Sequence, residues 1–131
     1  MEENILFRAR KFKFEFPRPA MVMGVINITP DSFYVGGRFP STEQAVEHAF
    51  EMVEQGADII DIGGESTFPG AQPVDEKTEL GRVLPAIEKL TGKINVPISI
   101  DTIKPAVAGE AVAAGASIIN DVAANREDSS M

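Results

Sequence analysis

The spacing of apolar and polar residues changes several times along this chain. Over residues 5–16 the period is two: Phe12, Phe14 and Phe16 share one face, and Lys11, Lys13 and Glu15 the other. That alternation predicts a strand. Residues 5–7 are its candidate hairpin partner, with the turn at Ala9-Arg10. Pro17 and Pro19 end the hairpin. From Ala20 the alternation gives way to a continuous apolar run, AMVMGVI, which ends at Asn27. Such runs mark strands buried on both faces, as in a parallel sheet, so Met21 and Met23 read as core.

A loop over residues 28–40 follows, rich in Pro, Asp, Ser and Gly. Ser41 then opens a helix, with a capping box between Ser41 and Gln44. Val46, Ala49, Phe50 and Val53 share a helical face, and Gly56 stands at the C-terminal cap. The plan repeats: a strand over residues 58–62 containing Asp61, a loop GGESTFPGAQP, and a helix from Asp75. That helix places Leu80, Val83, Leu84, Ile87 and Leu90 on one face. Gly81 and Pro85 inside it predict a kink or an early break, since proline removes a backbone donor. A third unit runs from PISI into Asp101, then a helix with Pro105 in its first turn, ending at Gly115. A fourth strand over residues 117–119 leads into Asn120 and Asp121.

GADIID at residues 56–61 is echoed by GASIIN at residues 115–120. Each copy is a helix-capping glycine, a buried strand and a polar end. The order βαβαβαβ predicts a parallel sheet. The expected organisation is one domain: an N-terminal hairpin over residues 1–19, a βαβαβαβ unit over residues 20–124, and a frayed polar tail over residues 125–131.

Composition narrows the function. The chain has 131 residues, 44% hydrophobic and 24% charged, an ordinary globular balance. A closed eight-stranded βα barrel typically needs about 250 residues. Twelve Lys and Arg against twenty Asp and Glu give a net charge of −8, which lacks the basic footprint of a nucleic-acid binder. Nor is there a polybasic cluster for an anionic membrane, a long apolar run, or a secretory signal at the N-terminus. The absence of cysteine excludes a disulfide framework and thiolate metal ligands, and fits a cytoplasmic protein.

Four strands end in an amide or carboxylate: Asn27, Asp61, Asp101 and Asn120. Parallel strands bring their C-terminal ends to one side of the sheet, the active side of βα folds. Asp and Asn also end strands because they favour turns, but four in succession after Ile- and Val-rich runs point to a site. The loop NITPDSFYVGG is longer than βα loops usually are, about 2–6 residues, and is suited to fold over a ligand. GGESTFPGA has glycines that permit close backbone approach, and the Ser66 and Thr67 hydroxyls suit phosphate. It is not a P-loop, since no Gly-Lys-Ser/Thr follows. His48, the single histidine, reads as a solvent-facing helix residue.

Taken together, VMGVINITPDSFYVGGR, GADIIDIGGESTFPGA, ISIDTIKPAV and AGASIINDV resemble, in order and spacing, the signatures of the dihydropteroate synthases, folate-pathway members of the pterin-binding enzymes. FKFEFPRP resembles the hairpin that plugs the barrel bottom in that family. The resemblance implies the N-terminal half of a (βα)8 barrel, with about four parallel strands and three helices behind a β-hairpin. It implies condensation of 6-hydroxymethyl-7,8-dihydropterin diphosphate with para-aminobenzoate, giving dihydropteroate and diphosphate. By position, Asn27 resembles the ligand of Mg²⁺ and diphosphate. Asp101 and Asn120 resemble pterin-binding residues of the deep pocket, and Asp61 another polar residue lining it. Asp101 and Asn27 are the catalytic candidates. Asp31, Ser32 and Phe33 resemble the first mobile loop; Thr67, Phe68 and Pro69 resemble the second, over diphosphate and aminobenzoate.

The chain departs from the family pattern in two ways. Phe68 stands where the family usually has arginine, which removes a bidentate anion partner. The family also draws an Asp from its fifth strand, a Lys from its seventh and an Arg-x-His pair from its eighth, beyond what this sequence spans. The resemblance therefore implies little synthase activity for this chain alone, a homodimer for the full-length family member, and a possible complementing C-terminal half. Three other readings stay open: a half-barrel that binds pterin without catalysis, a methyltransferase relative acting on methyl-tetrahydrofolate, and a half-barrel that homodimerises into a pseudo-barrel. The methyltransferase ranks low because TPDSF and GGEST belong to the synthase pattern.

Overall fold

The N-terminal alternation becomes a two-stranded antiparallel hairpin in the computed structural model, which describes residues 3–29, 38, 39, 41–66, 69–126 and 128–131. Strand β1 (Ile5–Ala9) pairs with β2 (Phe12–Phe16) from Ile5↔Phe16 to Ala9↔Phe12. The turn falls at Arg10-Lys11, one residue later than the pattern suggests, because Arg10 adopts the left-handed conformation (φ 52°). The hairpin is tied to the rest of the chain at both ends. Arg10 Nη1 donates to the carbonyls of Val112 (3.1 Å) and Ala116 (3.2 Å), and Arg18 pairs with Asp58 at 3.2 Å.

The remaining strands form one parallel sheet. In chain order they are β3 (Met23–Ile28), β4 (Arg38–Phe39), β5 (Ile59–Gly63), β6 (Ile98–Asp101) and β7 (Ile118–Asn120). The spatial order is β4-β3-β5-β6-β7. The four long strands are thus neighbours in sequence order, as in half of a βα barrel. The two-residue β4, on the outer edge of β3, is not visible in the hydrophobic pattern.

Helices α1 (Thr42–Glu54), α2 (Glu76–Leu90) and α3 (Pro105–Ala114) connect these strands. At the helix ends Ser41 accepts from the Gln44 N–H, one half of the expected capping box, Asp75 likewise accepts from the Thr78 N–H, and Gly115 closes α3 at φ 132° as expected. The early break does not occur: α2 runs unbroken through Pro85. Gly81, whose carbonyl Pro85 leaves without a donor, lies on the exposed side where water can take it up.

The helices cover one face of the sheet. Ile26, Ile28, Ile60, Ile62, Ile98 and Ile100 pack there against Ala45 and Ala49 of α1, Val83, Ile87 and Leu90 of α2, and Val107 and Ala111 of α3. Gly24 belongs to this face: a Cβ there would stand 2.5 Å from Met52 Sδ. Residues of the other parity point to the concave face. Met23 and Val25 point that way and are 41% and 42% exposed, so Met23 is not core as the apolar run implies. Two further expectations change. Phe50 is exposed, while Ala45 takes its place on the buried face of α1. His48 does not simply face solvent; its ring lies 4.9 Å from that of Phe39.

Candidate functional site

Sheet register converts the four polar strand ends into one cluster. Asn27 lies opposite Gly63, Gly63 opposite Asp101, and Asp101 opposite Asn120, so these residues form a row across the C-terminal edge of the concave face. One step down the strands the next row is Val25, Asp61, Ser99 and Ile118. The structure therefore brings all four predicted residues together, with Asp61 one level deeper than the others.

Two close relationships shape the cluster. A side chain on Gly63 would put its Cβ 2.9 Å from Asn27 Oδ1 and 3.4 Å from Asp101 Oδ2. The missing side chain lets Asn27 and Asp101 close over the strand between them. Deeper in, Asn120 Nδ2 lies 3.4 Å from Asp61 Oδ1 and 3.3 Å from Asp61 Oδ2, reaching across β6 from β7 to β5. Buried Ser99 sits in that intervening position.

Electrostatics single out Asp101. Burial, followed by the negative charges of Asp61, Glu79, Asp121 and Glu65, pushes its carboxyl up to about 6. Burial also raises Asp61, while the Ser99 hydroxyl and the Asn120 amide offset part of the rise. A carboxylate in this state holds its charge weakly and gains from any donor a ligand brings.

Sequence reasoning missed a second network beside the row. Lys104, at the N-cap of α3, pairs with Glu65 in the loop after β5 and with Glu79 of α2, the latter at 2.8 Å. Burial lowers the Lys104 ammonium, but the hydrogen bonds it donates to Glu65 and Glu79, and their negative charges, outweigh it, and the net shift is upward. Glu79 is 1% exposed and shares the buried face of α2 with Val83, Ala86, Ile87 and Leu90. A carboxylate in the apolar stripe of a helix was the available signal.

The glycine pair that precedes Glu65 is explained by packing. A Cβ on Gly64 would come within 3.0 Å of Val83 Cγ1 and 3.1 Å of the Glu79 carbonyl, so the loop lies directly on α2. Arg82 Nη1 donates to the Gly64 carbonyl at 2.8 Å. A small cavity of about 120 Å³ opens beside this segment, lined by Glu65, Ser66, Asp101, Thr102 and Ile103 among others.

Pro69 lies in an exposed turn before Gly70. Asp31, Ser32, Phe33, Thr67 and Phe68 lie outside the described residues. No group of three or more His, Cys, Asp or Glu suited to a metal occurs among the described residues. A site for Mg²⁺ would draw on Asn27 Oδ1, which closes over Gly63. Such a hard oxygen donor fits an ion held mainly by substrate phosphates.

Residues 23–131 match the family described as pterin binding enzyme. The dihydropteroate synthase of Bacillus subtilis is 47% identical over 131 residues, covering 100% of this chain and 46% of the relative. Among solved structures, Xanthomonas albilineans dihydropteroate synthase with 4-aminobenzoic acid superposes with a TM-score of 0.86 at 46% identity, covering 98% of this chain and 46% of that one. The Burkholderia cenocepacia enzyme complexed with 7,8-dihydropteroate gives a TM-score of 0.80 at 44% identity, covering 95% of this chain and 40% of that one. The chain spans about half the length of the relatives it matches. Signatures, half-barrel topology and these likenesses agree: the chain belongs to the pterin-binding enzyme family.

Proposed function

We propose that this chain carries the pterin-diphosphate side of a dihydropteroate synthase site. The reaction is the condensation of 6-hydroxymethyl-7,8-dihydropterin diphosphate with para-aminobenzoate. The observation that carries this reading is the Asn27–Gly63–Asp101–Asn120 row with Asp61 beneath it, in a chain of this family.

A pterin edge presents donors and acceptors side by side. Asp101 accepts from ring and amino N–H groups, and Asn120 both donates and accepts. Asp61 orients the Asn120 amide from below. In the reaction the arylamine nitrogen forms a bond to the exocyclic methylene carbon, and the bond from that carbon to diphosphate breaks. The electron pair leaves on diphosphate and the amine gives up a proton. Positive charge developing on the pterin is stabilised by ionised Asp101 beside it. Mg²⁺, when bound, would neutralise the leaving diphosphate; Asn27 is the residue assigned to hold it.

Thr67, Phe68, Pro69, Asp31, Ser32 and Phe33 are assigned to the loops over diphosphate and aminobenzoate. With Phe68 in place of arginine, anion handling there is weaker. The proposal extends to a cytoplasmic protein, in keeping with a chain that carries no cysteine. It extends also to a homodimer for the full-length member and a C-terminal half supplying the remaining cationic residues.

Titration of a fluorescent pterin against the chain and its Asp101→Ala variant tests this. Binding by the parent that is lost in the variant is expected. Equal binding by both would overturn the assignment.

A further inference from the structure

We propose that Lys104 is a positioning residue of this site: its ammonium clamps Glu65, in the loop after β5, to Glu79 on α2, and so holds Gly63 and Gly64 at the height of Asp101. Its functional half rests on the pterin-site reading above; its structural half does not.

Two local rules are broken here at once. Glu79 puts a carboxylate at 1% exposure on the apolar face of α2. Lys104 puts a cation at the positive end of α3, against the helix dipole. A buried ion pair is rarely more stable than apolar packing of the same volume. Stability is therefore a poor reason for the network, and rules broken together mark a functional site.

The geometry supplies the reason. Lys104 lies three residues beyond Asp101, and its backbone N–H is held by Thr102 Oγ1 at 3.1 Å. The backbone of Lys104 is thus tied to the residue that directly follows Asp101. Its head holds Glu65, two residues after Gly63. Its second contact, Glu79 Oε2 at 2.8 Å, anchors both to α2. Arg82 adds an independent tether at the Gly64 carbonyl. The loop after β5 and the loop after β6 are thereby locked in one register. Gly63 is the residue over which Asn27 and Asp101 close, so a loop shift changes the spacing of that pair. Displacements of about 1 Å in a site cost binding and rate heavily.

The test compares the parent chain with Lys104→Met, Lys104→Arg and the double variant Lys104→Met/Glu79→Gln. The double variant leaves no unpaired buried charge, so it folds even if Lys104→Met does not. Amide hydrogen exchange at Glu65 and Ser66 is read by NMR, and affinity for a fluorescent pterin by titration. In the methionine-bearing variants, exchange at these two amides should rise by about tenfold or more, while the amides of Ile60 and Ile100 are unchanged. Pterin affinity should fall by about tenfold, and Lys104→Arg should restore both. Unchanged exchange and affinity in the double variant would overturn the clamp while leaving the pterin reading standing. Faster exchange with no pterin binding by the parent would instead overturn the site reading, and with it the functional half of the proposal.

Discussion

The Asn120 amide nitrogen lies within 3.4 Å of both carboxylate oxygens of Asp61, although their strands are not neighbours. The bridge passes over Ser99 of β6. It turns the amide nitrogen toward Asp61 and the carbonyl oxygen away from it. It also gives a buried carboxyl one of the partners it needs.

That bridge predicts the effect of Asn120→Ala. Loss of the amide leaves Asp61 with one fewer donor and pushes its carboxyl further up. Folding stability should fall by about 1–2 kcal/mol, measured by urea unfolding. Pterin affinity should fall in the same variant. A variant as stable as the parent, with intact binding, would show the bridge to be incidental.

Asp101 predicts a pH dependence. Its folded value, about 6, lies above its ordinary value of 3.8, so the folded chain holds this proton more tightly than the unfolded chain. The sign follows: the contribution is fully present below about pH 4 and is lost as pH rises through about 6. At pH 7 the ionised group therefore lowers stability, by less than the shift alone suggests because solvent reaches it. Asp101→Asn should therefore raise the melting temperature at pH 7, flatten the profile between pH 4 and 6, and weaken pterin binding. Thermal melts at pH 4.5 and 7 check the sign.

Gly63 and Gly64 predict different failures. In Gly63→Ala the new methyl meets Asn27 Oδ1 at 2.9 Å, a side chain that can move aside. The fold should survive, with pterin affinity the main casualty. In Gly64→Ala the methyl meets the Glu79 carbonyl at 3.1 Å, where main chain must shift. Overpacking of this kind should cost about 1–3 kcal/mol. Denaturant midpoints and pterin titration on both variants separate the two outcomes.

Arg10 predicts a purely structural effect. Its guanidinium links the hairpin turn to the carbonyls of Val112 and Ala116, which lie before the N-terminal end of β7, while the polar row lies at its C-terminal end. Arg10→Ala should lower stability by about 1 kcal/mol without changing pterin affinity. A change in affinity at constant stability would contradict that division.

Much of this architecture is local and therefore legible in the amino-acid order. Period-two alternation marks β2, unbroken Ile and Val runs mark the parallel strands, and Ser41, Asp75, Pro105 and Gly115 mark helix ends through short-range hydrogen bonds and dihedral limits. The polar strand ends Asn27, Asp61, Asp101 and Asn120 are legible for the same reason, since all parallel strands finish on one side. What sequence spacing does not contain is register between segments far apart in the chain. Register alone places Asp61 one row below Asp101, sets Gly63 between Asn27 and Asp101, and sends Asn120 across β6 to Asp61. It also turns Met23 toward the concave face and brings Lys104 to Glu65 and Glu79. Each of these pairings joins side chains whose proximity depends on how whole elements pack, and a one-residue slip in any strand would point its polar end to the opposite face.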